Sequence, residues 1–204
     1  MAAMIDAPRK YFRQLVPPRD ALLLELEAEA EREDIPVVGP VVGRLLATLV
    51  RISAAANVLE LGTATGYSAI WMARAFQRPD ARLLTVEHTP EMARRAGQNI
   101  RRAGLESCIE IRVGTAETVL ENLAPPFDIA FLDIEKAAYG SAMIHCERLL
   151  RPGGLLVADN VGFKDADDFN RSIFASPHWE PVSLYGYLPF HSPEDDGLCL
   201  ALRT

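Results

Sequence analysis

Val58-Leu59-Glu60-Leu61-Gly62-Thr63-Ala64-Thr65-Gly66-Tyr67-Ser68 is the stretch that decides the fold. An apolar run ends in an acid, passes through a turn of small residues and opens into an apolar helical pattern. Such a stretch is a strand handing a glycine-rich loop to a helix N-terminus, where backbone N–H groups can cradle a small polar ligand. The glycines are spaced G-x-x-x-G, with Glu60 two residues before the first. A dinucleotide fold carries G-x-G-x-x-G instead. An acid at the strand end suits a ligand with a cationic amine and suits a pyrophosphate poorly.

On either side of this stretch the chain has a regular pattern. Asp20 to Asp34 reads as a helix with Leu22, Leu23 and Leu26 inward and Glu25 and Glu29 outward. Pro40 to Ser53 reads as a second helix, with proline in its first turn. From Asn57 on, strands and helices alternate. The strands are 57–62, 82–87, 109–113, 127–133, 155–159, 181–184 and 198–202. The helices are 67–77, 89–104, 115–123, 139–150 and 165–175, and Arg151-Pro152-Gly153-Gly154 reads as a turn. This alternation predicts an α/β fold: a doubly wound, seven-stranded, mostly parallel sheet with helices on both faces. Residues 1–18 form an arm or short helix, 19–53 the N-terminal helices and 54–204 the α/β core of a single domain.

At 204 residues and 49% hydrophobic content the chain can bury a core. Its net charge of −7 argues against a general nucleic-acid or anionic-membrane binder, but not against a neutral small substrate. Cys108, Cys146 and Cys199 are scattered and odd in number, so reduced thiols are expected and neither disulfides nor a zinc site. With no signal-peptide pattern and no membrane-length apolar run, a cytoplasmic protein is expected. The arginines at 94, 95, 101 and 102 are spaced for a solvated helix face, Trp71–Met72 for core, and His145 for a structural place.

In doubly wound sheets ligands sit beyond the carboxyl ends of the strands, so the polar residues closing each strand are the candidates. Glu87 falls about 25 residues after Gly62, near the spacing at which an acid holds ribose hydroxyls. Thr115, Ala116 and Glu117 either border an adenine ring or simply cap a helix, Thr115 as N-cap and Glu117 on its dipole. Asp133, Asp159 and Asn160 are hard oxygen donors at the ends of strands expected to be adjacent. They suit Mg²⁺, Mn²⁺ or Ca²⁺ and do not suit zinc. Lys136 leaves the same turn as Asp133, and a lysine beside a dication can serve as base. S-adenosylmethionine is a ligand with the cationic amine that Glu60 would accept.

With these residues quoted, the chain from Ile35 onward resembles class I S-adenosylmethionine-dependent O-methyltransferases. Within that class it is similar to the cation-dependent group of catechol and caffeoyl-CoA O-methyltransferases. The matching motifs are Val58–Gly62 with Gly66-Tyr67-Ser68, Thr85-Val86-Glu87, Phe131–Lys136, and Leu155–Val161. The resemblance implies that Glu60, Gly62, Tyr67 and Ser68 hold the methionine portion of the cofactor. It implies that Glu87 binds the ribose, that His88 lies beside the adenosine, that Ala116 and Glu117 edge the adenine, and that Val38 closes over it. Thr63, Gly66 and Gly114 complete that set with Asp133. It implies Asp133, Asp159 and Asn160 as ligands of Mg²⁺ or a similar dication, with Lys136 and Asp133 catalytic. Two departures bear on the substrate. Only Val161–Lys164 separates Asn160 from the next helix, and an extra segment, Tyr185 to Asp196, precedes the last strand. That segment and the arm are expected to cover the acceptor, with Phe163, Tyr187 and Phe190 lining it.

The implied reaction is methyl transfer to a hydroxyl that neighbours a second oxygen on a small, aromatic acceptor. A homodimer is expected because relatives are commonly dimeric and the N-terminal helix is leucine-rich. Three other readings stay open: a methyltransferase of hydroxylated tRNA uridine, a Rossmann-type oxidoreductase, and a non-catalytic S-adenosylmethionine-binding module. The missing third glycine and Glu60 weigh against the oxidoreductase.

Overall fold

The computed structural model describes residues 4–204, so the first three residues of the expected arm lie outside the described residues. The strands are β1 (Asn57–Leu61), β2 (Arg82–Glu87), β3 (Ile109–Val113), β4 (Phe127–Leu132), β5 (Leu150–Ala158), β6 (Trp179–Tyr187) and β7 (Asp195–Arg203). They form one sheet in the order β3-β2-β1-β4-β5-β7-β6. β1 to β5 pair in parallel, and β7 runs antiparallel between β5 and β6. The helices are α1 (Pro8–Arg13), α2 (Ala21–Glu33), α3 (Gly39–Ile52), α4 (Tyr67–Ala73), α5 (Pro90–Arg102), α6 (Ala116–Glu121), α7 (Tyr139–Leu149) and α8 (Asp167–Ala175).

The two-residue period of a strand divides the core into two layers. Val58, Leu83, Ile129, Phe131 and Val157 pack under α2 to α5. Leu59, Leu61, Leu84, Leu132 and Leu156 pack on the opposite face with residues of α7 and α8. Strand order reverses between β1 and β4, so a crevice opens beyond their carboxyl ends. Gly62 and Asp133 pack directly against each other there. Asp133 N donates to the Leu61 carbonyl at 2.8 Å, and Gly62 N to that of Val86 at 3.0 Å.

Local chemistry explains several boundaries. The Asp20 side chain accepts from Leu23 N and caps α2, and Asp34 ends that helix in a left-handed conformation. The leucine face of α2 is not a dimer surface as expected: Leu23 and Leu26 are buried in this chain's own core and Leu22 packs against it. The basic face of α5 is also only partly solvated, since Arg95 pairs with Glu29 and Glu33, and Arg102 with Glu25, tying α5 to α2. Arg151–Gly154 is not a turn. It belongs to β5, where Leu150 already pairs with Phe127 and the register then shifts. The left-handed Gly153 absorbs that irregularity.

The segment Tyr185 to Asp196 is likewise no separate insertion. Tyr185–Tyr187 extend β6 and pair with Asp195–Gly197 of β7, leaving a hairpin tip at 188–194. The arm docks on this hairpin. Arg9 donates to both oxygens of Asp195, and Arg13 pairs with Glu194 and donates to Tyr187 Oη. Arg13 and Arg19 lie over the Phe190 ring. Tyr187 and Phe190 therefore meet the arm, whereas Phe163 stands beside Lys136, whose Nζ is 5.9 Å from its ring centre. Cys108, Cys146 and Cys199 are free thiols. Among the described residues no helix is long and apolar enough to cross a membrane.

Candidate active site

A cavity of about 540 Å³ occupies the crevice at the reversal of strand order, within the size range of small-molecule sites. Gly62, Glu87, His88, Gly114, Ala116, Glu117, Asp133 and Lys136 line it, as the strand-end reading expects. Thr115 caps α6, so the helix-cap reading holds, and it also lines the cavity. Ile35, Pro36, Met92, Ser141 and His145 also line it, and none of them was among the candidates. His145 was expected to be merely structural, but α7 presents it to the cavity. Chain neighbours carry no signal for these residues, because they come from the α2–α3 connection and from helices that only the assembled sheet brings over the crevice.

Eight candidates do not line the cavity, six of them from the cofactor set. Val38, Glu60, Thr63, Gly66, Tyr67 and Ser68 lie behind it. Thr63 Oγ1 is 2.6 Å from Thr85 Oγ1, and Tyr67 Oη donates to Glu27 at 2.6 Å. Gly62 and Gly66 both have positive φ, and Ala64 between them does too. The turn is thus tighter than most side chains allow. Glu87 braces it: one carboxylate oxygen accepts from Ala64 N and the other from Thr89 N, each at 2.9 Å. Each oxygen keeps a second lone pair for a ligand hydroxyl.

Glu60 shares the face of Val58 and so points under α4, where Ser68 Oγ donates to its Oε1 at 2.6 Å. Its Oε2 is buried without a partner. Burial pushes this carboxyl up to about 7, against the opposing pull of the Ser68 hydrogen bond. The consequence for stability has a definite sign. Between the ordinary carboxyl range and about pH 7 the folded chain holds a proton that the unfolded chain releases, so stability falls as pH rises through that window. Glu60→Gln should therefore make the ligand-free protein about 3 kcal/mol more stable at pH 8, with the gain fading by about pH 4.5. Urea unfolding at the two pH values checks it. An equal effect at both would mean that packing, not charge, sets the difference.

The second constellation lies at the ends of β4 and β5. Tyr139 Oη sits 3.1 Å from the Leu132 carbonyl and 2.9 Å from that of Asp159, donating between them and fixing the two strand ends together. Lys136 Nζ is 3.3 Å from Asp133 Oδ1, with 19% of its side chain exposed. Asp133 is held above the usual carboxyl range by burial and by the negative charge of Asp159, with Lys136 opposing. Asp159 and Asn160 do not line the cavity but adjoin it through Asp133. Asp159 is 1% exposed and meets His191, whose Nε2 is 2.9 Å from both carboxylate oxygens. Asn160 Nδ2 donates to Asp196 Oδ2 at 2.6 Å and to the Ser192 carbonyl at 3.1 Å, leaving its Oδ1 free. His191 and Asp196 belong to the hairpin and were not read as site residues.

A family model described as O-methyltransferase matches residues 20–170. The catechol O-methyltransferase of Niastella koreensis is 45% identical over 147 residues, which cover 70% of this chain and 66% of that protein. The catechol O-methyltransferase of Sus scrofa is 35% identical over 168 residues, 79% of this chain and 89% of that protein. The chain spans just under two thirds of the Niastella relative's length and 64% of the catechol O-methyltransferase of Bos taurus. Among solved structures, an O-methyltransferase from Bacillus cereus in complex with SAH superimposes with a TM-score of 0.87 at 29% identity, covering 97% of each chain. One from Streptomyces achromogenes in complex with SAM gives 0.87 at 30%, covering 98% of this chain and all of that one.

Proposed function

The chain belongs to the O-methyltransferase family, and on that premise we propose that it transfers a methyl group from S-adenosylmethionine to one hydroxyl of a catechol-like small molecule, assisted by a divalent cation. One observation carries this reading. A single cavity runs from Glu87, His88 and the Gly114–Glu117 turn to Asp133 and Lys136, so a nucleoside-type wall and a basic side chain share one space.

The residues fit the cofactor. Gly62 leaves the loop open toward the crevice, and the orphaned Glu60 Oε2 behind it provides negative charge for a cationic amine. Glu87 would hold the ribose hydroxyls and Met92, Leu120 and Ile134 would shield the adenine from water, while Val38, Thr63, Gly66, Tyr67 and Ser68 would support the methionine end. The residues also fit a hard dication, since Asp133, Asp159 and the free Asn160 Oδ1 offer three oxygens. A dication, when bound, favours ionisation of an acceptor hydroxyl. Lys136 takes the proton released there, and Asp133 holds Lys136 in place. Phe163 flanks Lys136 and gives an aromatic acceptor an apolar surface. Much of the acceleration then comes from holding acceptor and methyl donor in line. The catechol O-methyltransferases among the relatives, and the solved neighbours in complex with SAM or SAH, support the choice of donor and acceptor.

The tRNA reading gains no support, because Arg9 and Arg13 are spent on Asp195 and Glu194. A homodimer remains part of the proposal, now through the exposed Phe12, Leu15, Leu184 and Tyr185 rather than through α2. The test uses the full chain with labelled S-adenosylmethionine and catechol, with Mg²⁺ and with excess chelator, beside calorimetry against S-adenosylmethionine and NAD. Expected are binding of the first ligand only, labelled methyl ether as product, and loss of turnover in chelator. Full activity in chelator would remove the cation, and binding without methylation of catechol would remove the acceptor class. Sedimentation of the same sample reads the dimer.

A further inference from the structure

We propose that a second cavity, away from the crevice, is a binding site for a small carboxylate with an apolar body such as a single aromatic ring. It lies between α3, α4 and the start of α2, has a volume of about 250 Å³ and shares no lining residue with the crevice. The proposal does not depend on the methyl-transfer reading.

Helical spacing builds the site. Arg44, Ala47, Thr48 and Arg51 recur at i, i+3, i+4 and i+7 and so share one face of α3, while Trp71, Arg74 and Ala75 share one face of α4. Gly43 lets the two helices meet: a Cβ on it would lie 2.5 Å from Trp71 Cδ1. The indole therefore rests against α3, and the Arg44 guanidinium returns over it, 4.8 Å from the ring centre. A guanidinium stacked on an aromatic face is fixed in orientation, yet its N–H donors lie in its own plane and stay available. Such a fork matches the two oxygens of a carboxylate.

Charge selects an anion. Arg74 is held by Asp20 at 2.7 Å, whereas no carboxylate pairs with Arg44 or Arg51 among the described residues. Three arginines against one aspartate make this cavity positive on a chain of net charge −7, and such a field concentrates anions. The rest of the wall chooses among them. Leu23, Ala47, Trp71 and Ala75 are buried and apolar, and Thr48 already donates its hydroxyl proton to the Arg44 carbonyl at 2.8 Å. A phosphate would find too few donors for its remaining oxygens, while an apolar body is well matched. The volume is below the roughly 300 Å³ of an ordinary ligand pocket, which limits that body to one ring or a short branched chain.

The experiment titrates the full chain, ¹⁵N-labelled at its indoles, with benzoate, its neutral counterpart benzamide, and inorganic phosphate. Trp71 and Trp179 are the only tryptophans, so two indole N–H signals arise, assigned by Trp71→Phe or Trp179→Phe. Expected is a saturable shift of the Trp71 signal with benzoate, at a dissociation constant of about 1 mM or lower, a static Trp179 signal, and no saturation by benzamide or phosphate. Arg44→Gln should weaken benzoate about tenfold. Arg44→Lys should not restore it, because an ammonium offers neither the fork nor the stack. Arg51→Gln should weaken it less, through the field alone. Arg44 and Arg51 are exposed, so these variants keep the fold. No saturation by benzoate, equal binding of benzamide or phosphate, or a Trp71 shift unchanged in Arg44→Gln would overturn the proposal.

Discussion

Gly62→Val should abolish binding of S-adenosylmethionine and cost the fold about 3 kcal/mol or more, from left-handed strain and overpacking together. Gly62 has φ +98°, and a Cβ placed on it would lie 1.9 Å from the Asp133 carbonyl oxygen and 2.7 Å from its carbon. Neither backbone can yield cheaply. Gly62 N is bonded to β2 and Asp133 N to β1, so relief on one side strains the three central strands. The cofactor loop and the turn carrying Asp133 and Lys136 would move together. Gly104→Ala is the control: its φ is also positive, at +69°, but nothing lies within 4 Å of the added atom. It should cost only about 1 kcal/mol and leave affinity unchanged. Urea unfolding and calorimetric titration of the two variants make the comparison. A folded Gly62→Val that binds the cofactor normally would take the loop out of the site.

Lys136→Ala should lower kcat by about 10² to 10⁴, the usual contribution of a positioned base, with KM changed far less. The loss should shrink at high pH, where the acceptor hydroxyl ionises without help. Lys136→Arg should not restore the rate, because a guanidinium keeps its proton. The pH–rate profiles of the three proteins with catechol are the deciding measurement. A defect confined to KM would make Lys136 a binding residue and leave proton removal to another group.

Much of the architecture could be read directly along the chain. Arg82–Glu87 and Ile109–Val113 end where the sequence pattern ends, because parallel strands are short apolar runs cut off by polar turn residues. Asp20 marks the start of α2 for an equally local reason, its side chain capping a free N–H. The candidate site was legible to the extent that it sits at strand ends. A parallel sheet gathers those ends along one edge, so Glu87, Gly114, Asp133 and Lys136 meet in one cavity whatever the details of packing. The alternation of β1 likewise determines that Glu60 points away from Leu59 and Leu61.

The tertiary structure alone decided the rest. Pro152, Gly153 and Gly154 have the chemistry of a turn, yet pairing of Leu150 with Phe127 draws them into β5. Tyr185 to Asp196 has no period of its own and becomes a hairpin because β7 pairs on both sides. That hairpin carries His191 to Asp159 and Asp196 to Asn160 across more than 30 residues of chain, and α7 carries His145 to the cavity. Caps, turns and strand periods act between residues a few positions apart and leave their mark in order along the chain. A contact closed over a long loop is chosen by what the packed sheet places opposite it, so its partners carry no mark in the sequence beforehand.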